Sequence, residues 1–224
     1  MTVYMFESSN LSKIAYENIL KLITSGEIKL GSQVSQNELS RKFPMSRTPV
    51  REALFALENQ GLLEKNGTKY YVSYISKEDV IKLYEVRKIL EGGSAKICAM
   101  NLNDAGRKRL ENIMRKLKIL SESEVATPDE IAAENGNLHQ TIAEMSGNAY
   151  IYKFIMETLL KLRLVRMSLL ISQERRVEEY RDHKIIVDHI LKGEGEKACA
   201  AMQTHEDAVL EFARKTVFKK FYVD

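Results

Sequence analysis

Three of the chain's four histidines sit where a helix would turn them inward. Around the first, Ile131, Leu138, Ile142 and Met145 recur at helical spacing, and Asn135 and His139, four residues apart, share that face. His183 precedes Ile186 and Ile190 by three and seven residues, and His205 lies among Met202, Val209 and Phe212 at three, four and seven. A polar ring on an apolar stripe needs a partner inside the protein. Neutral imidazoles from three helices, converging on one point, form a ligand set for a divalent transition metal, zinc first, with nickel or manganese also compatible. The same rings could instead hydrogen-bond to one another or directly to a small ligand. A three-histidine metal with an open position could also activate water, but no acid or base is evidently placed to serve it, so an enzyme is not expected.

A second group with chemistry lies in Phe43 to Gly61. Ser46 can accept a hydrogen bond from a free first-turn amide, Pro49 falls where a missing N–H costs nothing, and Gly61 supplies a left-handed stop. Val50, Ala53, Leu54 and Leu57 form the apolar stripe of this short helix. Arg47, Thr48 and Arg51 project from its first turn and a half. Arginine reads guanine bidentately and clamps phosphate, and a helix N-terminus itself attracts anions, so this is the chemistry of a recognition helix in a major groove. The alternative is a solvated face with Arg51 paired to a glutamate.

The run ELSRKFPMSRTPVREALFALENQGLL resembles the DNA-binding region of the GntR family of bacterial transcription regulators. YEVRKILEGGSAKICA and LHQTIAEMSGN are similar to the FadR-type C-terminal domain (FCD) of the same family, so the resemblance covers nearly the whole chain. It implies operator contacts at Arg47, Thr48 and Arg51, with Ser46 beside them and Asn37 where the family often carries an Arg contact. It also implies a homodimer on an inverted-repeat operator, repression as the commoner outcome, and a small-molecule effector, an organic acid. Metal-binding FadR-type domains use an Asp, a His four residues on and two further His. The intervals here, 183 − 139 = 44 and 205 − 183 = 22, match that layout, but Asn135 stands where the Asp is usual and offers a weaker, uncharged oxygen. His189 matches no ligand position and reads as structural. Arg87, on a stripe with Val80, Tyr84 and Leu90, is either a counter-charge for an effector carboxylate or an ion-pair partner of Glu91 four residues on. Asn148 either lines the same cavity or caps a helix.

The pattern around these residues predicts a mainly α protein of two domains, 1–75 and 76–224. A first helix, Leu11 to Ser25, carries Leu11, Ile14, Ala15, Ile19, Leu22 and Ile23 on one stripe and ends at Gly26. Ser35 with Glu38 starts a second helix running to Phe43. Leu62 to Lys65 and Tyr70 to Tyr74 flank Asn66-Gly67 as a hairpin wing, with Lys65, Asn66, Gly67 and Lys69 near its tip and within reach of a flanking phosphate or minor groove; a plain solvated hairpin is the alternative. From Ser76 on, an antiparallel bundle of about six helices is expected, over 76–99, 105–121, 127–146, 149–171, 173–192 and 194–218. With 224 residues, 44% hydrophobic and 29% charged, the chain can bury two modest cores. A net charge of +3 provides no basic tail, so the positive charge that matters is local. Cys98 and Cys199 are isolated, which fits a reducing cytoplasm, and Thr2 to Asn10 lacks the basic start and apolar core of a leader. Leu159 to Ile171 is broken by Lys161, Arg163 and Arg166 and cannot span a membrane.

Overall fold

The structure, a computed structural model, describes residues 10–222; residues 2–9, in which no leader is expected, lie outside the described residues. The chain divides into two compact units. One runs through Ile75 and takes in the chain's end from Phe221, and the other is Ser76–Lys220.

The first unit contains α1 (Asn10–Thr24), β1 (Gln33–Val34), α2 (Gln36–Lys42), α3 (Arg47–Asn59), β2 (Leu63–Asn66) and β3 (Lys69–Val72). Its core forms where α1 packs on α3, burying Ala15, Ile19 and Ile23 with Val50, Ala53, Leu54 and Leu57. Leu11 and Ile14, expected on that stripe, are exposed. Ser12 takes the inward place in their turn, buried with its hydroxyl on the Glu52 carboxylate. Ser35 caps α2 by accepting from the Glu38 amide at 3.4 Å. Ser46 precedes α3 but makes no capping bond through its side chain, so the hydroxyl cap expected there is not formed. The other end is as expected. Gly61 has φ 70°, and the Leu62 N–H reaches back to the Leu57 carbonyl at 2.9 Å, closing the helix with a left-handed glycine.

The sheet is antiparallel in the order β1-β3-β2. Asn66 pairs with Lys69, so the two-residue loop is Gly67-Thr68 rather than Asn66-Gly67. Gly67, at φ 60°, is the residue that needs the left-handed conformation, and a glycine at the first loop position matches the right-handed twist of a hairpin. Strand β1 was not expected from sequence; two residues are too few to show a period. Tyr222, which groups with this unit, meets Tyr74 edge-on at 6.4 Å.

The second unit is helical: α4 (Lys77–Asn101), α5 (Asp104–Glu122), α6 (Pro128–Met145), α7 (Ala149–Lys161), α8 (Arg163–Leu169), α9 (Gln173–Leu191) and α10 (Gly195–Lys215), followed by α11 (Val217–Phe221). Each of the main breaks has a local cause. Asn103 accepts from the Gly106 amide at 2.8 Å, Thr127 and Glu130 form a reciprocal capping box ahead of Pro128, and Ser172 caps α9. The single helix expected over 149–171 is two, because the chain turns at Leu162, whose fully buried side chain anchors the joint. The last expected helix is likewise divided at Thr216. α4 lies along α10, α9 packs on α10 and α5, and α6 covers α4 and α5. Between them Ala95, Cys98, Leu110, Leu138, Ile142, Ile186, Ile190 and Met202 form a dry core. Beside that core the same helices turn charged and imidazole side chains inward.

Candidate nucleic-acid interface and ligand chamber

On α3 the apolar stripe against α1 leaves the opposite face free. Arg47, Thr48 and Arg51 are all exposed, as is Ser46 ahead of them. Among the described residues neither arginine forms an ion pair. The nearest acid in sequence, Glu52, is turned toward Ser12 of α1. Both guanidiniums therefore remain in water at the helix's positive end, where the macrodipole favours an incoming anion. Asn37 is exposed on α2. Across the turn between the two helices, Gln36 donates to the Arg47 carbonyl at 2.9 Å, which ties the start of α3 to α2. Lys65, Asn66, Gly67 and Lys69 are exposed on the wing. The Lys65 ammonium lies 5.5 Å from the Tyr70 ring centre, its cross-strand neighbour.

In the second unit His139 of α6, His183 of α9 and His205 of α10 do meet. Their ring centres are 5.2, 5.6 and 4.6 Å apart, their ligand nitrogens lie within 4.8 Å of one another, and none is more than 2% exposed. Burial pushes all three below the ordinary imidazole range; for His183 the two neighbouring rings add to this, and for His205 the His139 ring and Arg87 do. The rings are neutral at physiological pH, the form that ligates metal. His139 Nδ1 is engaged by Glu91 and His205 Nδ1 lies 3.4 Å from Asp182. A carboxylate on one ring nitrogen fixes the tautomer and leaves Nε2 as the ligand atom. His183 has no hydrogen-bond partner at either nitrogen among the described residues, although both are buried. An imidazole so placed costs free energy unless something binds it, and the donor set fits a divalent cation.

Asn135 is buried beside them on α6, and its amide donates to Glu179 at 3.1 Å. Arg87 is also buried, and of its two sequence readings the ion pair is realised. Its Nε meets Glu91 at 2.7 Å and its Nη2 meets Glu206 at 2.9 Å. Burial raises the Glu91 carboxyl, but Arg87 and His139 more than reverse this and hold it well below its usual range. Glu206 is pushed up to about 8, by burial first, with Arg87 opposing. Asn148 does not enter the chamber. It is exposed, and its side-chain oxygen accepts from the Tyr150 and Ile151 amides at 3.0 and 3.2 Å, capping α7. His189 pairs with Glu194 at 2.6 Å, apart from the cluster.

Several chamber residues were not singled out in the sequence. Arg175, Glu179 and His183 follow one another at intervals of four on α9, so continuing the His183 stripe toward the N-terminus would have found the first two. Arg166 stood out only as a charge interrupting an apolar run; it is 8% exposed on α8. Glu206 gave no signal, since a glutamate next to an inward histidine normally faces water.

An exposed pair of arginines on the second helix of a helix-turn-helix, a wing, and a separate bundle with a buried polar chamber define a DNA-binding protein with a sensor module. Residues 11–69 match the bacterial regulatory proteins of the gntR family and residues 82–208 match the FCD domain. The chain is 30% identical over 210 residues to the HTH-type transcriptional regulator LutR of Bacillus subtilis, covering 82% of this chain and 92% of that one. It is 26% identical over 186 residues to the gluconate operon transcriptional repressor of the same organism, covering 83% and 74%. The fold is similar to that of E. coli McbR/YncC, with a TM-score of 0.64 at 17% identity over 93% and 99% of the two chains. This chain belongs to the GntR family and is a ligand-responsive transcriptional regulator, not an enzyme. No helix among the described residues is long and apolar enough to cross a membrane.

Proposed function

We propose that the protein is a homodimeric repressor that binds an inverted-repeat operator and changes its grip when a small carboxylate enters a metal-containing chamber. Arg47, Thr48 and Arg51 read the half-site, with Ser46 and Asn37 beside them, and Lys65, Asn66, Gly67 and Lys69 hold the flanking backbone. His139, His183 and His205 hold a divalent metal, zinc by donor type, with nickel or manganese also accommodated by imidazole. Asn135 is the fourth candidate ligand. When bound, the metal offers an electrophilic position to an anionic ligand. The protein's own part is to keep three neutral imidazoles aligned and water excluded. Repression is supported by the similarity to the transcriptional repressor of the gluconate operon of Bacillus subtilis. Dimerisation is supported by an exposed apolar groove between α4 and α7 that includes Val86, Ile89 and Phe154. This reading takes 1–75 as the DNA-binding domain and 76–224 as the sensor domain, a division supported by the parting of two compact units between Ile75 and Ser76.

The observation that carries the effector side is the buried, partnerless His183 between two carboxylate-oriented imidazoles. Elemental analysis of protein purified without chelator should find about one metal per chain, and His183→Ala should remove it while operator binding by the ligand-free protein persists. Protein that carries no metal, and that shows no thermal shift with Zn²⁺, Ni²⁺ or Mn²⁺, would sink the metal reading and leave the direct-binding pocket.

A further inference from the structure

Arg87 is neutralised by two glutamates, so it cannot be the group that waits for a ligand's carboxylate. The guanidiniums that keep open hydrogen-bonding positions lie elsewhere. Arg166 Nη2 and Arg175 Nε and Nη2 are buried and have no hydrogen-bond partner among the described residues. Arg175 has a 3.4 Å contact to Glu178 through Nη1 and lies over the Phe212 ring at 5.3 Å, which leaves Nε and Nη2 open. The same region also holds carboxyl oxygens without a hydrogen-bond partner among the described residues. Glu179 Oε2 accepts nothing, its other oxygen being taken by Asn135, and Glu206 Oε2 accepts nothing, its other oxygen facing Arg87. All four side chains belong to residues that are less than a tenth exposed. They share one environment: Arg166 and Arg175 both act on the Glu179 carboxyl, and Arg166 acts on Glu206.

A buried charge with an empty hydrogen-bonding position is costly, and here the empty positions are of both signs. A ligand with only a carboxylate would satisfy the guanidiniums but leave the open oxygens of Glu179 and Glu206 without a donor. A ligand with only an amine would do the reverse. On α9 Arg175 and Glu179 are one turn apart, about 6 Å along the axis, so a carboxylate and an ammonium carried on one carbon can each reach one of them.

We propose that the ligand of the chamber is an amino-carboxylate, a small molecule with a carboxylate and a protonated amine, the carboxylate held by Arg166 and Arg175 and the amine by Glu206 and Glu179. This rests on reading the chamber as the effector site, and it narrows the ligand from organic acids at large to zwitterions.

The test is calorimetric titration of the full chain with matched pairs: alanine and propionate, leucine and 4-methylpentanoate, phenylalanine and 3-phenylpropionate, glutamate and glutarate. In at least one pair the amino acid should bind about tenfold or more tighter than its deaminated partner, as expected for a charged hydrogen bond. Glu206→Gln should erase that preference, weakening the amino acid about tenfold more than its deaminated partner, with Glu179→Gln as the second variant if the first loses its thermal transition. Arg175→Met should weaken both members of the pair. A deaminated acid that binds as tightly as its amino acid, or a glutamine variant that weakens both equally, overturns the zwitterion and leaves the carboxylate reading standing. If no member of any pair binds, while organic acids without an amine also fail, both readings fall together.

Discussion

Arginine does opposite work in the two units. On α3, Arg47 and Arg51 stand in water without an ion-pair partner among the described residues; in the bundle, Arg87 is 2% exposed and wedged between Glu91 and Glu206. In high dielectric a guanidinium gives up little when it leaves solvent contacts for a phosphate or a guanine edge, so keeping it unpaired keeps it available. In low dielectric the same group is inseparable from its anions, because each would otherwise be a buried, uncompensated charge. The lesson is that residue type does not assign the role; the surroundings do. Arg87 read in the sequence as either a ligand contact or an ion-pair partner of Glu91, and in the structure it is the counter-ion that makes the inward carboxylates tolerable.

The comparison is most directly broken at Arg87. Replacing it by Met strands Glu91 and Glu206, and the unfolding free energy should drop by about 3–5 kcal/mol, the usual result of removing one partner of a buried pair. Urea denaturation followed by circular dichroism measures it, and a loss under about 1 kcal/mol would mean that the chamber is wetter than its burial implies. Arg51→Ala should do the reverse. Stability should stay within about 0.5 kcal/mol of the parent, while operator affinity at fixed salt falls by roughly 1–3 kcal/mol. Unchanged affinity would remove Arg51 from the interface.

The chamber's neutrality gives a smaller effect with a definite sign. His183 is held well below its ordinary pKa, so above about pH 6.5 it is neutral in both folded and unfolded chains and adds no pH dependence. As pH falls below that, the unfolded chain takes the proton first, and the folded state loses stability by up to about 1.4 kcal/mol per pH unit from this group. Glu206, raised to about 8, acts oppositely, gaining stability as pH falls from about 8 toward 4.5. Comparing chelator-treated parent with His183→Gln isolates the histidine. The difference between their unfolding free energies should be flat from pH 8 to 6.5 and shift in favour of the variant below. A difference that stays constant down to pH 5 would mean that His183 is solvated.

These contrasts also mark what was legible in the sequence. The recognition helix was readable because its signals are local: Pro49 in the first turn, Gly61 at the stop, an apolar stripe and a run of residues with a strong family resemblance. The three histidines were readable because each interrupts an apolar stripe, which a single helix reveals. Their carboxylate partners were not. Glu91 and Asp182 meet the rings across helix–helix contacts, and no periodicity within one helix announces which residue of another will face it. Asn148 failed for the converse reason, since a polar residue after a glycine fits a cap and a cavity wall equally until the cap's hydrogen bonds are seen. The wing's loop moved by one residue because Asn-Gly and Gly-Thr both satisfy a two-residue turn, and the pairing of Asn66 with Lys69 decides between them.

The wing supplies the smallest and most discriminating contrast. Lys65 is steadied over the Tyr70 ring, whereas Lys69 is exposed at the base of the Gly67-Thr68 loop with no aromatic neighbour of that kind among the described residues. If the wing meets only backbone phosphate, Lys69→Ala should weaken binding about uniformly across operator variants. It should also lower the dependence of log affinity on log salt by about 1, the signature of one released counterion. Loss confined to one operator sequence would instead place Lys69 on a base edge, and an unchanged salt slope would return the wing to a plain solvated hairpin. Setting that slope beside the one for Arg51→Ala separates the two kinds of exposed cation. The α3 arginine should alter both specificity and slope, while the wing lysine alters the slope alone, because only a side chain fixed on a rigid helix can hold the bidentate geometry that distinguishes one base from another.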